Sequence, residues 1–130
     1  MAARLDPQFG GRSLGFAYVD AKEYGRAAAS FEHEAITNDE WTGVPFSNEP
    51  YVASLLLARD YQRAIPAAQR ILDLEKNEPE SMRLNARRLL GIAYEGAGNV
   101  EMAKSAFAEN STCQITKFVR GNLSFSCYAR

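Results

Sequence analysis

The chain has 130 residues, with 15 Lys and Arg against 16 Asp and Glu and a formal charge of -1. That length suits one domain, and that balance lacks the concentrated basic surface a phosphate backbone demands, so nucleic acid is not expected as a partner. Composition is that of a folded globular protein, 46% hydrophobic and 24% charged, without the run of about eighteen apolar residues that a membrane helix needs.

The N-terminal stretch, Met1 to Gly11, contains Arg4, Asp6 and Pro7 and no apolar core, unlike a signal peptide. The cytoplasm is therefore the default expectation, with an envelope location reached through a cleaved leader as the other. Phe9, Leu14, Ala17 and Tyr18 recur at helical spacing and predict a helix over about 7–21, starting at Arg12 if Gly10 and Gly11 weaken it. After a break at Asp20–Glu23, a second stripe (Tyr24, Ala27, Ala28, Phe31, Ala35) predicts the return helix. Residues 37–50 are rich in turn formers and read as an inter-repeat loop anchored by Trp41, Val44 and Phe46.

Tyr51, Val52, Leu55 and Leu56 form the next helix face, followed by a turn at Arg59–Asp60 and a helix carrying Tyr61, Ala64, Ala68, Ile71 and Leu72. Pro66 falls inside that helix and is expected to bend or weaken it. Pro79 is placed to open a longer helix with Met82, Ala86, Leu89, Leu90, Ala93 and Tyr94. Gly96–Asn99 is a turn, and Val100, Ala103, Ala106 and Phe107 form the last return helix. The tail, 111–130, is apolar at Ile115, Phe118, Val119, Leu123 and Phe125. It reads either as a capping helix over 112–120, stopped by Gly121, or as a hairpin about Gly121–Asn122; the helix is preferred, because a repeat array needs its open end covered.

A phrase repeats through this layout. Leu14, Gly15, Tyr18, Ala27 and Phe31 stand at the same mutual offsets as Leu90, Gly91, Tyr94, Ala103 and Phe107. The middle unit keeps Ala64 but has Val52 for the glycine, Leu55 for the tyrosine and Ala68 for the phenylalanine. Elementary packing assigns these residues structural roles. The glycines allow a close helix crossing completed by an alanine, the tyrosines lie in the seam, and the phenylalanines fill space between units.

The pattern resembles the tetratricopeptide repeat (TPR), L-G-x2-Y followed by A-x3-F at a period of 34. The spacings here, 37 from Ala27 to Ala64 and 39 from Ala64 to Ala103, are longer. Gly11 and Arg87 stand where that repeat carries tryptophan. The resemblance implies an all-α chain of antiparallel helix pairs stacked as a short right-handed solenoid. Three repeats would occupy about 8–36, 49–77 and 79–110, and 111–130 would form the cap. It also implies a protein-interaction module that binds a peptide or partner protein in a concave groove. The groove residues would be Arg12, Phe16, Val19 and Asp20, then Glu49, Ala53, Leu56 and Leu57, then Asn85, Arg88, Ile92 and Glu95. A carboxylate clamp is not expected, since Phe16 and Leu89 stand where such clamps are polar. The competing expectation is a structural spacer within a larger protein, of the envelope or secretion kind, which would adjoin further repeats of that parent chain and bind no ligand of its own.

Catalysis is not expected. His33, the single histidine, lies between Glu32 and Glu34, and immediate neighbours on a helix point apart. Cys113 and Cys127 have no base or further ligands nearby in sequence, and their redox state is open. No P-loop, dinucleotide glycine pattern or serine elbow occurs, so neither metal nor cofactor is expected. Lys117, Arg120 and Arg130 interleave with Phe118, Phe125 and Tyr128, as in base-stacking surfaces, but an amphipathic cap carries the same pattern.

Overall fold

The computed structural model describes residues 10–37, 45–107, 111–119 and 122–129. Among them the chain forms α1 (Gly10–Asp20), α2 (Tyr24–Thr37), α3 (Pro45–Leu57), α4 (Tyr61–Leu74), α5 (Glu80–Gly96) and α6 (Val100–Ala106). The strands β1 (Ser111–Val119) and β2 (Asn122–Ala129) follow. Each helix packs on the next in sequence, and α3 also packs on α5. This is a helical-repeat arrangement of three helix–turn–helix pairs, with the first helices of the second and third pairs in contact.

The repetition is clearest in the backbone. The turns α1–α2, α3–α4 and α5–α6 each place one residue at positive φ, at Lys22 (61°), Arg59 (63°) and Gly98 (86°). The next residue's N–H closes each turn onto a carbonyl five back: Glu23 to Tyr18 (2.8 Å), Asp60 to Leu55 (2.8 Å) and Asn99 to Tyr94 (2.9 Å). Only Gly98 adopts that conformation without crowding a Cβ against the carbonyl. Asp60 and Asn99 then cap the following helices, accepting from Arg63 N and Met102 N. The middle unit, degenerate in sequence, is thus regular at its turn.

Inside each outer pair the phenylalanine lies on the glycine. A Cβ at Gly15 would stand 2.6 Å from the Phe31 ring, and one at Gly91 2.4 Å from Phe107. The ring therefore closes its own pair first, a more local role than filling space between units. The middle pair reverses the sizes: Val52 replaces the glycine and Ala68 the phenylalanine, and both are buried. Large-on-small has become small-on-large, which conserves the volume of the contact. The units are joined by Tyr61, whose ring lies where a Gly96 side chain would be, 2.3 Å from an added Cβ. A second joint ties the first two pairs. Tyr51 Oη on α3 donates to Glu32 Oε2 on α2 at 2.8 Å, and Arg63 on α4 pairs with the same oxygen.

Two expectations change. Residues 45–50 are helical and belong to α3, with Pro50 inside it, so the loop ends sooner than its composition suggests. Proline tolerates early helical turns, and the nearby Ser54 hydroxyl donates to the Pro50 carbonyl at 2.8 Å. Trp41 and Val44 lie outside the described residues. Pro66 lies inside α4, as its place in the sequence implies, and the helix runs to Leu74 and buries Ala64, Ala68, Ile71 and Leu72.

The second change is the tail. It is a two-stranded antiparallel hairpin, not a capping helix, and a Cys113–Cys127 disulfide joins its strands. Ser111–Val119 alternates and is rich in β-branched and aromatic residues, which favours strand over helix. A bulge between Ile115 and Lys117 resets that alternation. With it, Phe118 pairs with Leu123 while Ile115 pairs with Phe125 and Cys113 with Cys127. The extra residue brings Phe118 back to the face that carries Ile115; without it, Phe118 would point to the opposite side.

Candidate functional site: the first-helix face and the hairpin on it

The candidate groove side chains come from α1, α3 and α5, the first helices of the three pairs. That face is partly occupied by the chain itself. β1 packs against α5 and α1. Phe118 is 7% exposed and belongs to the main core, with Ile115, Leu123 and Phe125 packed against it. Burying a phenylalanine to this extent contributes about 2–3 kcal/mol, enough to hold a hairpin that would be marginal in isolation.

Three clefts follow the line of contact. Near α1, Val19, Asp20, Lys22 and Tyr24 face Thr116–Val119 across about 570 Å³. At the ends of α3 and α5, Leu56, Leu57, Tyr61, Ile92 and Glu95 face Cys113–Ile115 across about 240 Å³. The third, about 350 Å³, lies between Glu80, Leu84, Arg87 and Arg88 on α5, Phe107, and the two cysteines. β1 therefore runs from the third pair past the second to the first. Nine residues of strand span about 30 Å, the reach this path requires.

Individual groove residues can now be placed. Arg88 sits over the Phe125 ring, 5.6 Å from its centroid, a cation–π contact. Glu95 accepts from the Thr112 hydroxyl at 3.1 and 3.2 Å. Ile92 packs on the small cluster of Ala103, Phe107 and Cys113. Val19, Ala53 and Leu56 are buried in the core. Phe16 is half-buried, edge-on to Phe31 at 5.2 Å. Arg12 lies in α1, but its side chain is outside the described residues. The hairpin meets α1 at its C-terminal end and α5 along much of its length.

Glu49 and Asn85 lie away from the hairpin. Asn85 Nδ2 donates to Glu49 Oε1 at 3.5 Å, linking α3 to α5. Burial, with repulsion from Glu75, pushes the Glu49 carboxyl up to about 7, against a lowering by Asn85. Glu75 is 2% exposed. Its carboxyl is also raised, first by burial and then by Glu78, with Arg83 opposing. Glu75 Oε1 and Arg83 Nε have no hydrogen-bond partner among the described residues. Both carboxyls are thus pushed above the ordinary carboxylate range, Glu49 to about 7.

Among the described residues no group of three or more His, Cys, Asp and Glu side chains could hold a metal ion. None of their helices is long and apolar enough to cross a membrane. Sequence reasoning missed the hairpin's seat on the first-helix face and left open whether Cys113 and Cys127 are joined, which they are. The available signal was strict alternation through Cys113, Ile115 and then Leu123, Phe125, Cys127, interrupted by one residue. No family model, curated protein or solved structure matches the chain.

Proposed function

We propose that the chain is a protein-interaction module of the tetratricopeptide class, with three repeats forming a short right-handed solenoid whose first-helix face receives an extended polypeptide. The observation that carries this reading is β1 itself, an extended segment seated along α5 and α1. Val19, Leu56 and Ile92 face β1 with apolar side chains and Glu95 accepts from its Thr112, while Arg88 stacks on Phe125 of the partner strand β2. Such a surface suits a strand presenting alternate apolar residues. The matching sets Leu14, Gly15, Tyr18, Ala27, Phe31 and Leu90, Gly91, Tyr94, Ala103, Phe107 support the class, as do the three equivalent turns.

The hairpin also favours a second reading, a self-contained structural module whose face is permanently filled. Selection of displayed random peptides on the full chain separates the two. The interaction reading expects binders that lose at least about tenfold in affinity with Arg88→Glu or Asn85→Ala. Binders indifferent to both substitutions would contradict it. Failure to select any would favour the structural module.

A further inference from the structure

We propose that the Cys113–Cys127 bond is an exchangeable clasp, opened by a dithiol reductant in the cleft beside it, and that its opening releases the hairpin from the first-helix face. The two sulfurs join β1 to β2 near the open end of the hairpin. Both cysteines line the cleft of about 350 Å³ with Arg87 and Arg88. Their environments differ. Cys113 is 3% exposed, against Ala103 and Phe107, whereas Cys127 is exposed. A nucleophile therefore reaches Cys127. Of the charges that line the cleft, Arg87 is paired with Glu80 at 2.9 Å and Arg88 stacks on Phe125, which leaves the lining net cationic, and positive charge near a sulfur favours the thiolate.

The exchange balances. One thiolate of the reductant attacks Cys127 Sγ and forms a mixed disulfide, and the Cys113–Cys127 bond breaks with its electron pair on Cys113 Sγ. The reductant's second thiolate attacks its own sulfur in the mixed disulfide and expels the Cys127 thiolate. The two protons shed by the reductant end on the two cysteines. Two electrons have passed, and the reductant leaves as its own disulfide.

The consequence follows from what else holds the hairpin. A two-stranded sheet is marginal alone, and here it relies on the clasp and on Phe118, Ile115, Leu123 and Phe125 against the helices. Arg88 stacks on Phe125, one of those anchors, so clasp and groove share a residue neighbourhood. Opening the bond restores the freedom of a fourteen-residue loop and shifts the hairpin's opening equilibrium by roughly 100-fold.

The inference draws on the interaction reading only for what a freed face would do; its test needs no ligand. The full chain, oxidised or treated with dithiothreitol, is compared by hydrogen exchange with thiols counted by mass. Two free thiols are expected after treatment under native conditions. Exchange across 111–119 and 122–129 should be about 100-fold faster, while α2 and α4 keep their protection. The Cys113→Ser/Cys127→Ser chain should match the reduced one without reductant. Resistance of the bond to dithiothreitol, unchanged exchange in the hairpin, or loss of protection in the helices along with it would each overturn the clasp. None of these results bears on whether peptides select the oxidised face, so the two readings fail separately.

Discussion

Val52 and Ala68 stand where the outer repeats carry glycine and phenylalanine, and the exchange of sizes keeps the contact filled. Ala68→Phe alone should therefore overpack the middle pair by about 1–3 kcal/mol. Adding Val52→Gly should relieve part of that cost. A double-mutant cycle by urea unfolding is expected to give a favourable coupling of at least about 1 kcal/mol; additive losses would contradict the swap. Lys22 and Arg59 each hold positive φ at a turn that Gly98 makes without strain. Lys22→Gly should raise stability by about 0.5–1 kcal/mol in the same assay. The Gly15 and Gly91 signature was legible in the sequence because it recurs at fixed offsets. The middle unit was obscured because compensation across a pair erases both letters of the signature together.

Glu49 makes a prediction of its own. Its folded pKa of about 7 lies above the ordinary 4.5, so between those values the native state binds the extra proton and the unfolded state does not. Stability therefore falls as pH rises from about 4.5 to about 7, and is level above that. Allowing for partial solvent screening, the loss attributable to this group is about 1–2 kcal/mol. Glu49→Gln should flatten that slope and make the protein more stable at pH 8, as read from melting temperatures across the pH range. A steeper slope in the variant would contradict the assignment.

At the level of elements, the hairpin depends on one bulge and one ring. The bulge between Ile115 and Lys117 turns Phe118 inward, and Phe118 anchors β1 in the core. Phe118→Ala should cost about 3–5 kcal/mol if the cavity does not collapse. It should loosen the hairpin more than the helices, as seen in amide exchange. The six helices were readable from apolar periodicity, and the longer α5 was expected from its stripe. The tail was misread because one extra residue breaks the alternation that marks a strand, while Phe118 and Val119 remain at spacings a helix also permits. α3 was shortened in the reading because Pro45, Ser47, Asn48 and Pro50 are turn formers by composition yet sit in its first turns.

For the whole molecule, the middle pair is the hub. Glu32, Tyr51 and Arg63 tie it to the first pair, and Tyr61 seated on Gly96 ties it to the third. Pro66 lies inside α4, which runs to Leu74 and buries four side chains, and the expectation that it weakens the centre is a matter for exchange rates. Exchange at equilibrium should be slowest in α3 and α4 and faster in α1 and α6; the reverse order would support the expectation of a weak middle. The second unit's turn was expected at Arg59–Asp60 and lies there, but its sharing one backbone form with the turns at Lys22 and Gly98 is not written in its residues. The seat of the hairpin was not foreseeable at all, because it joins residues far apart in the chain that share no local pattern.

The central claim is that the chain's own C-terminal strand occupies the face expected to bind partners. It is tested most directly by nuclear Overhauser contacts in the oxidised full chain. The account predicts contacts from the Phe125 ring to Arg88 and from the Phe118 ring to Val19 at the end of α1. A hairpin formed in solution without contacts to α1 or α5 would contradict it.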